Sequence, residues 1–92
     1  MRFVALIFPN YSRSYDAGSG RIRFSGYDGM FEVRFLLELD ALAKAYTGKL
    51  GTEKEYLSAF DDMRKAVLVV AERIYGKRRG QTVCMLTAHD FT

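Results

Sequence analysis

The chain is 92 residues long, and 49% of its residues are hydrophobic while 27% are charged. This length suits one domain spanning residues 1–92, and the hydrophobic content excludes an intrinsically disordered chain. Cys84 is the only cysteine, which excludes an internal disulfide and is typical of a reducing compartment. The net charge of +3 permits an anionic partner without requiring one.

The first apolar segment, Phe3–Phe8, predicts a β-strand that is buried on both faces, or nearly so. We expect it to end at Pro9, because proline has no amide hydrogen to donate to a neighbouring strand. The segment is too short for a signal peptide or a membrane span, so we expect a cytoplasmic protein with no membrane contact. Residues 10–20 are rich in Asn, Ser, Asp and Gly, which predicts a loop.

A β-hairpin is the clearest local signal in the chain. Two strand-like segments, Arg21–Tyr27 and Met30–Leu36, flank the pair Asp28-Gly29. This pair is typical of a two-residue type I′ turn between antiparallel strands. The sequence therefore predicts both the hairpin and its register.

The register determines which side chains are neighbours. With the turn at positions 28 and 29, Gly26 faces Phe31, whose ring can cover the space beside the glycine, and Arg23 faces Arg34. Side chains alternate between the two faces of the hairpin. The apolar face, which we expect in the core, carries Ile22, Phe24, Phe31, Val33 and Phe35. The opposite face carries Arg21, Arg23, Ser25, Glu32 and Arg34.

Two helical segments follow the hairpin. Asp40 predicts the N-cap of a short helix over Ala41–Tyr46. Thr52 and Glu55 form a T-x-x-E capping box at the start of a long helix, which we expect to end at Gly76. Apolar residues recur along this helix at spacings of three or four, which predicts one buried stripe: Tyr56, Phe60, Met63, Val67, Val70 and Ile74.

The C-terminal residues complete the predicted fold. Gln81–Leu86 predicts a final strand, and Thr87 and Asp90 resemble a capping box for one last helical turn. The element order is then βββααβ. Helices packed on one face of a mainly antiparallel sheet form a two-layer α+β domain.

Five segments carry a recognisable combination of residues. They are Phe8-Pro9-Asn10, Ser12-Arg13-Ser14-Tyr15-Asp16, Ile22-Arg23-Phe24, Asp40-Ala41-Leu42 and Leu86-Thr87-Ala88-His89-Asp90-Phe91. In these segments the chain resembles the domain-of-unknown-function family 1488, a family of short bacterial proteins, and the resemblance covers nearly the whole chain. The resemblance implies a bacterial, intracellular protein with a compact α+β fold. It implies no activity and no catalytic residue.

The sequence does not assemble a catalytic site. Cys84, His89 and Asp90 are residue types of a thiol enzyme, but Cys84 lies mid-strand, where a free cysteine usually acts as a small hydrophobic residue. One histidine and one cysteine do not supply a tetrahedral zinc site. The segment Gly18–Gly20 precedes a strand, whereas a phosphate-binding loop leads into a helix. We therefore expect no enzyme, no cofactor and no metal.

The candidate anion-binding residues are Arg21, Arg23 and Arg34, on the outer face of the hairpin. Like charges directly opposite each other destabilise a strand pair, so Arg23 and Arg34 need an anion or the nearby Glu32 to offset the repulsion. Sheet proteins that bind single-stranded RNA expose aromatic rings for base stacking, whereas the phenylalanines of this hairpin are expected in the core. Nucleic-acid binding is therefore the less favoured use of this face.

The candidate interface residues are Leu68 and Val69. On a helical wheel they lie away from the apolar stripe, and their neighbours are charged: Lys54, Asp61, Lys65 and Glu72. An apolar pair in a charged surface indicates a contact site, unless the short helix covers it. Symmetric dimers are the commonest assembly of soluble proteins, so a homodimer is one interpretation of the pair.

These observations favour a small non-enzymatic cytoplasmic interaction or accessory domain that acts through protein contacts. The alternative is an anion or nucleic-acid binder that uses the three arginines. The sequence does not identify a partner protein.

Overall fold

The structure is a computed structural model that describes residues 6–78 and 81–91. Its elements are five β-strands, three α-helices and a terminal 3-10 helix. The strands are β1 (Leu6–Ile7), β2 (Ser14–Asp16), β3 (Arg21–Asp28), β4 (Phe31–Glu38) and β5 (Val83–Leu86). The helices are α1 (Leu39–Ala45), α2 (Glu53–Asp62), α3 (Arg64–Lys77) and the 3-10 helix (Ala88–Phe91). The α+β class is confirmed, and β2 is an additional strand within the segment expected to be a loop.

One sheet contains all five strands. β3 and β4 form its antiparallel centre, β5 lies parallel to β4 at one edge, and β1 and β2 both pair antiparallel with β3 at the other. Between β1 and β2 the six residues 8–13 lie opposite only three residues of β3, 24–26, so the chain bulges at this edge. A parallel pair needs a long crossover, and α1, α2 and α3 supply it between β4 and β5.

The core lies between one face of the sheet and the helices. It draws on both layers, and its largest fully buried side chains are Phe35, Phe60, Ile22, Leu37, Leu42, Leu86, Val33, Val67 and Cys84. Phe24 also belongs to this cluster. Burial of this many apolar side chains on one side is what the alternation in the hairpin predicts.

Gly29 and Met30 close the β3–β4 hairpin, and not Asp28 and Gly29 as predicted. Asp28 pairs with Phe31, and Gly29, at φ 64, supplies the positive φ that a type II′ turn requires at its first central position. Asp28 remains in β3, where its carboxylate accepts a 2.6 Å hydrogen bond from the Tyr75 hydroxyl. The register therefore differs from the predicted one by two residues, which keeps each side chain on its predicted face.

The shifted register changes which ring covers Gly26. Phe31 lies in the last residue pair before the turn and is 75% exposed, so its predicted place in the core is wrong. Phe8 fills the space instead, with its ring 6.1 Å from the ring of Phe24. A Cβ atom on Gly26 would lie 2.7 Å from the Phe8 ring and 2.9 Å from the carbonyl oxygen of Ile7.

The helices differ from the prediction at two points. The capping box of Thr52 and Glu55 is present with both of its hydrogen bonds, but the expected long helix is interrupted at Met63 (φ −98, ψ 9) and forms α2 and α3. α1 begins at Leu39, so Asp40 lies in its first turn and not at the N-cap. None of the helices in the described parts of the chain is long and apolar enough to cross a membrane.

The predicted first strand and the predicted last helical turn lie at the two ends of the described chain. Residues 3–5 of the predicted first strand lie outside the described residues. Leu6 is buried but Ile7 is 58% exposed, so β1 is an edge strand with one open face and is not buried on both. The last turn is as expected, because the carboxylate of Asp90 accepts a 2.8 Å hydrogen bond from the backbone N–H of Thr87.

Replacement of Gly26 with Ala should destabilise the fold, because the new methyl group would overlap the Phe8 ring and the Ile7 carbonyl. Overpacking of this kind costs roughly 1–3 kcal/mol of unfolding free energy, which chemical denaturation measures. Gly18→Ala is the control, since its Cβ would meet Asp16 at an ordinary 3.4 Å. A Gly26→Ala protein as stable as the wild type would contradict the packing of Phe8 on β3.

Candidate anion-binding groove on the open face of the sheet

The face of the sheet opposite the helices, here called the open face, carries the candidate arginines. Alternation along β3 and β4 places Arg21, Arg23 and Arg34 there. Arg23 lies opposite Leu36 and Arg34 lies opposite Ser25, so the prediction that the two arginines face each other directly is wrong. They are diagonal neighbours, ~7–8 Å apart at the backbone, which is close enough for both guanidinium groups to reach one anion.

A groove of about 450 Å³ lies over these positions, between the arginines and the bulging segment of residues 8–13. We call it the Arg23–Arg34 groove; its lining is Ser12, Arg13, Ser14, Arg23, Phe24, Ser25, Glu32, Arg34 and Leu36. Arg23 and Arg34 are exposed, and neither has a carboxylate within 4.0 Å in the part of the chain that the structure describes. The serine hydroxyls can donate hydrogen bonds to the same anion.

Arg21 does not share this groove. It lies opposite Glu38 on β4 and opposite Asp16 on β2, and it lines a separate depression together with Glu38 and Asp40. None of these carboxylates lies within 4.0 Å of Arg21. Hydrogen bonds from Ser19 hold the pKa of Asp16 below its ordinary value, and the charge of Arg23 adds to this effect. Of the three predicted arginines, Arg23 and Arg34 line the same groove and Arg21 lines a different depression.

An ion-pair cluster at the α2–α3 junction holds the wall of the groove. Arg13 donates from Nε and Nη2 to the two carboxylate oxygens of Asp61, at 2.9 and 2.8 Å. Arg64 donates to the carbonyl oxygen of Tyr11 at 3.0 Å and to Asp61 at 3.4 Å. Its guanidinium carbon lies 4.7 Å from the ring centroid of Tyr11 and 4.9 Å from that of Phe60, which are cation–π distances. The bulging segment is thus fastened to the helices.

The Ser-Arg-Ser-Tyr-Asp segment that carries part of the family resemblance has a structural role in the same wall. Its Arg13 makes the ion pair to α2, and its Tyr15 ring lies 6.0 Å from the ring of Tyr56. Its Asp16 accepts a 2.9 Å hydrogen bond from the hydroxyl of Ser19 and so closes the turn before β3. These contacts account for three of the five residues, and the two serines line the groove.

Comparison with known proteins places the chain in a family. The family model described as "protein of unknown function (DUF1488)" matches residues 6–86. The chain belongs to this family. A crystal structure of a family member of unknown function from Shewanella loihica PV-4 superposes with a TM-score of 0.79 at 16% identity, covering 94% of this chain and 96% of that chain. At this identity the similarity concerns the fold. The search of curated proteins gives no match.

The residues considered for thiol chemistry are placed apart from the groove. Cys84 is fully buried on the core side of β5, and His89 and Asp90 belong to the 3-10 helix. Burial raises the pKa of the Cys84 thiol, which makes it a poor nucleophile. Within residues 6–78 and 81–91, no three His, Cys, Asp or Glu side chains lie together as a metal site.

The candidate interface on α3 is smaller than predicted. Val69 is 66% exposed, but Leu68 is half-buried and packs against the core, so the expectation that both point away from it is wrong for Leu68. Ala71 and Tyr75, three and seven residues after Leu68, are both buried, so the buried face of α3 is broader than the predicted stripe and extends to Leu68. A contact through Val69 stays a prediction.

Replacement of Asp61 with Asn should lower stability at neutral pH and have less effect in acid. Hydrogen bonding and charge from Arg13 hold the pKa of Asp61 below its ordinary value. A carboxylate with a lowered folded-state pKa stabilises the fold above its ordinary pKa of about 3.9, and this contribution is lost as the pH falls through the folded pKa. For a partly exposed pair the loss is about 0.2–1 kcal/mol.

Thermal unfolding between neutral pH and about pH 2 tests this, because that window spans the ordinary carboxylate pKa. Glu72→Gln is the matched control, since Glu72 is exposed on α3 and forms no ion pair within the described residues. If Asp61→Asn and the wild type lose stability in parallel as the pH falls, the ion pair does not fasten the groove wall.

Cys84 should resist alkylation in the folded protein. Its thiol is buried and its pKa is raised, so the reactive thiolate is scarce and inaccessible. Mass spectrometry after iodoacetamide treatment at neutral pH should show unmodified protein, with full modification once denaturant is added. Rapid modification of the native protein would restore Cys84 as a candidate nucleophile.

Proposed function

We propose that the chain is a non-enzymatic cytoplasmic accessory domain that binds an acidic segment of a partner protein on the open face of its sheet. The observation that carries the proposal is the pair of exposed arginines, Arg23 and Arg34, which line one groove with no carboxylate within 4.0 Å among the described residues. Guanidinium groups bind carboxylates through two parallel hydrogen bonds. As diagonal neighbours, the two arginines can both bind one acidic side chain.

The composition of the open face favours a protein partner over a nucleic acid. Beside the arginines it carries an apolar strip, in which Leu36 on β4 pairs with Met85 on β5 and Val83 lies one step along the same face. Tyr27, paired with Glu32, is the aromatic residue on this face of the hairpin, so β3 and β4 present no row of rings for successive bases. Arginine beside apolar surface is typical of protein–protein contacts.

The lining of the groove supports the non-enzymatic part of the proposal. It contains neither histidine nor cysteine, and Glu32 is its one carboxylate. General acid–base catalysis needs a titrating group within reach of the substrate, and arginine remains protonated at physiological pH. The free thiol of Cys84 supports a reducing compartment such as the cytoplasm.

Replacement of both Arg23 and Arg34 with Ala should abolish binding of an acidic peptide and leave thermal unfolding nearly unchanged. Fluorescence anisotropy of a labelled oligoglutamate peptide measures the affinity, at low and at physiological salt. The affinity should fall with salt, because exposed charge contacts are screened. Arg21→Ala is the matched control for the single variants Arg23→Ala and Arg34→Ala: it removes one positive charge from the same face outside the groove and should bind nearly as the wild type does.

Labelled single-stranded DNA and RNA of matched charge serve as the competing ligands. An oligonucleotide that binds more tightly than the peptide at physiological salt would overturn the assignment of a protein partner. Equal losses of affinity in Arg21→Ala and in either single groove variant, Arg23→Ala or Arg34→Ala, would show that net charge and not the groove is recognised. Absence of peptide binding even at low salt would reject the anionic-partner proposal.

A further inference from the structure

β5 forms one edge of the sheet, and β4 is its strand partner in the described chain. A free strand edge is a template for pairing with another chain, and proteins usually block it with a charge, a proline, a bulge or a covering segment. β5 has the sequence Val-Cys-Met-Leu and so carries neither charge nor proline. The 3-10 helix that follows packs against α1 and α3 and does not pair with this edge.

One hydrogen bond shows which backbone groups of β5 face outwards. The N–H of Arg34 donates to the carbonyl oxygen of Thr82 at 2.8 Å, so the backbone groups of Thr82 and, by alternation, Cys84 point towards β4. The N–H and C=O groups of Val83 and Met85 therefore point away from the sheet. Among the described residues they have no backbone partner outside the β4–β5 pair.

A second β5 running antiparallel would satisfy these groups. With Val83 of each copy opposite Met85 of the other, both pairs exchange N–H···O bonds, as hydrogen-bonded antiparallel pairs do. The two Cys84 residues then face each other at the two-fold axis. Opposite residues in antiparallel strands share a face, so this register keeps the two cores on one side and the two open faces on the other.

Charge also favours a second copy as the occupant of this edge. The exposed basic end of α3, with Lys77 and Arg78, precedes β5, and Asp90 follows it. Antiparallel pairing brings the basic end of one copy towards the acidic residue of the other. Val83 is 47% exposed, and the pairing covers part of this side chain with Met85 of the second copy.

We therefore infer that the chain forms a two-fold homodimer through the free edge of β5, and not through Leu68 and Val69. The sheet then continues through both copies with the two β5 strands at its centre. The two Arg23–Arg34 grooves lie on the same side of this sheet. Arg34 and its copy are three strand spacings apart across the sheet and two residues apart along it, a distance of roughly 16 Å. This dimer does not depend on what the grooves bind.

Sedimentation velocity tests the dimer, because the chain mass is 10.5 kDa and the dimer has twice that mass. The wild type should sediment as the dimer, and Val83→Lys should be monomeric, since edge lysines oppose strand pairing. Met85→Pro is the second variant: it removes an outward N–H that the monomer does not use, a position where an edge strand tolerates proline. Val69→Asp is the matched control and should remain dimeric.

Amide hydrogen exchange then tests the register. The amides of Val83 and Met85 should be protected only at protein concentrations where the dimer forms, whereas that of Cys84, bonded to β4, should be protected at all concentrations. A monomeric wild type at high concentration would overturn the inference. So would a dimer that survives both edge variants in their folded state, or one that Val69→Asp dissociates.

Discussion

The register of β3 against β4 is the constraint on which the rest of the structure depends. Asp28 stays in β3, with its carboxylate bonded to the Tyr75 hydroxyl at 2.6 Å, and the turn moves to Gly29 and Met30. A hydrogen bond to a charged group contributes about 1.5–3 kcal/mol, which is enough to select between neighbouring turn positions. The selected register makes Arg23 and Arg34 diagonal neighbours, so the two charges tolerate each other and share one groove.

The bulging segment of residues 8–13 joins the core to the groove. At one end Phe8 fills the space that Gly26 leaves in the sheet, and at the other Arg13 reaches the α2–α3 junction. The backbone of this segment is therefore held at both ends, although the segment does not pair with the neighbouring strand β3. Because polar groups built on a rigid wall lose little entropy on binding, Ser12 and Ser14 are better placed to bind a ligand than serines on a free loop.

The sequence predicted those features of the fold that depend on residues close together in the chain. The capping box at Thr52 depends on four consecutive residues, and the faces of the hairpin depend on alternation, which a shift of two residues preserves. The features that sequence reasoning missed depend on distant contacts: the turn position on Tyr75, and β2 on its pairing with β3. Sequence reasoning missed the groove for the same reason, because the residues of its wall and those of its floor are far apart in sequence.

Two kinds of group are unpaired among the described residues: the guanidinium groups of Arg23 and Arg34 on the open face, and the outward peptide groups at the free edge of β5. Because these groups are exposed, water can form hydrogen bonds with both kinds at little cost in free energy, so neither destabilises the fold. They respond to different variables, because charge contacts weaken as salt screens them whereas strand pairing follows protein concentration. A partner with two acidic segments could bind both grooves of a dimer, and groove binding would then depend on strand pairing. Binding of its first segment at one groove would raise the effective concentration of its second segment at the other groove. Such binding would be tight only where the β5 edges are paired.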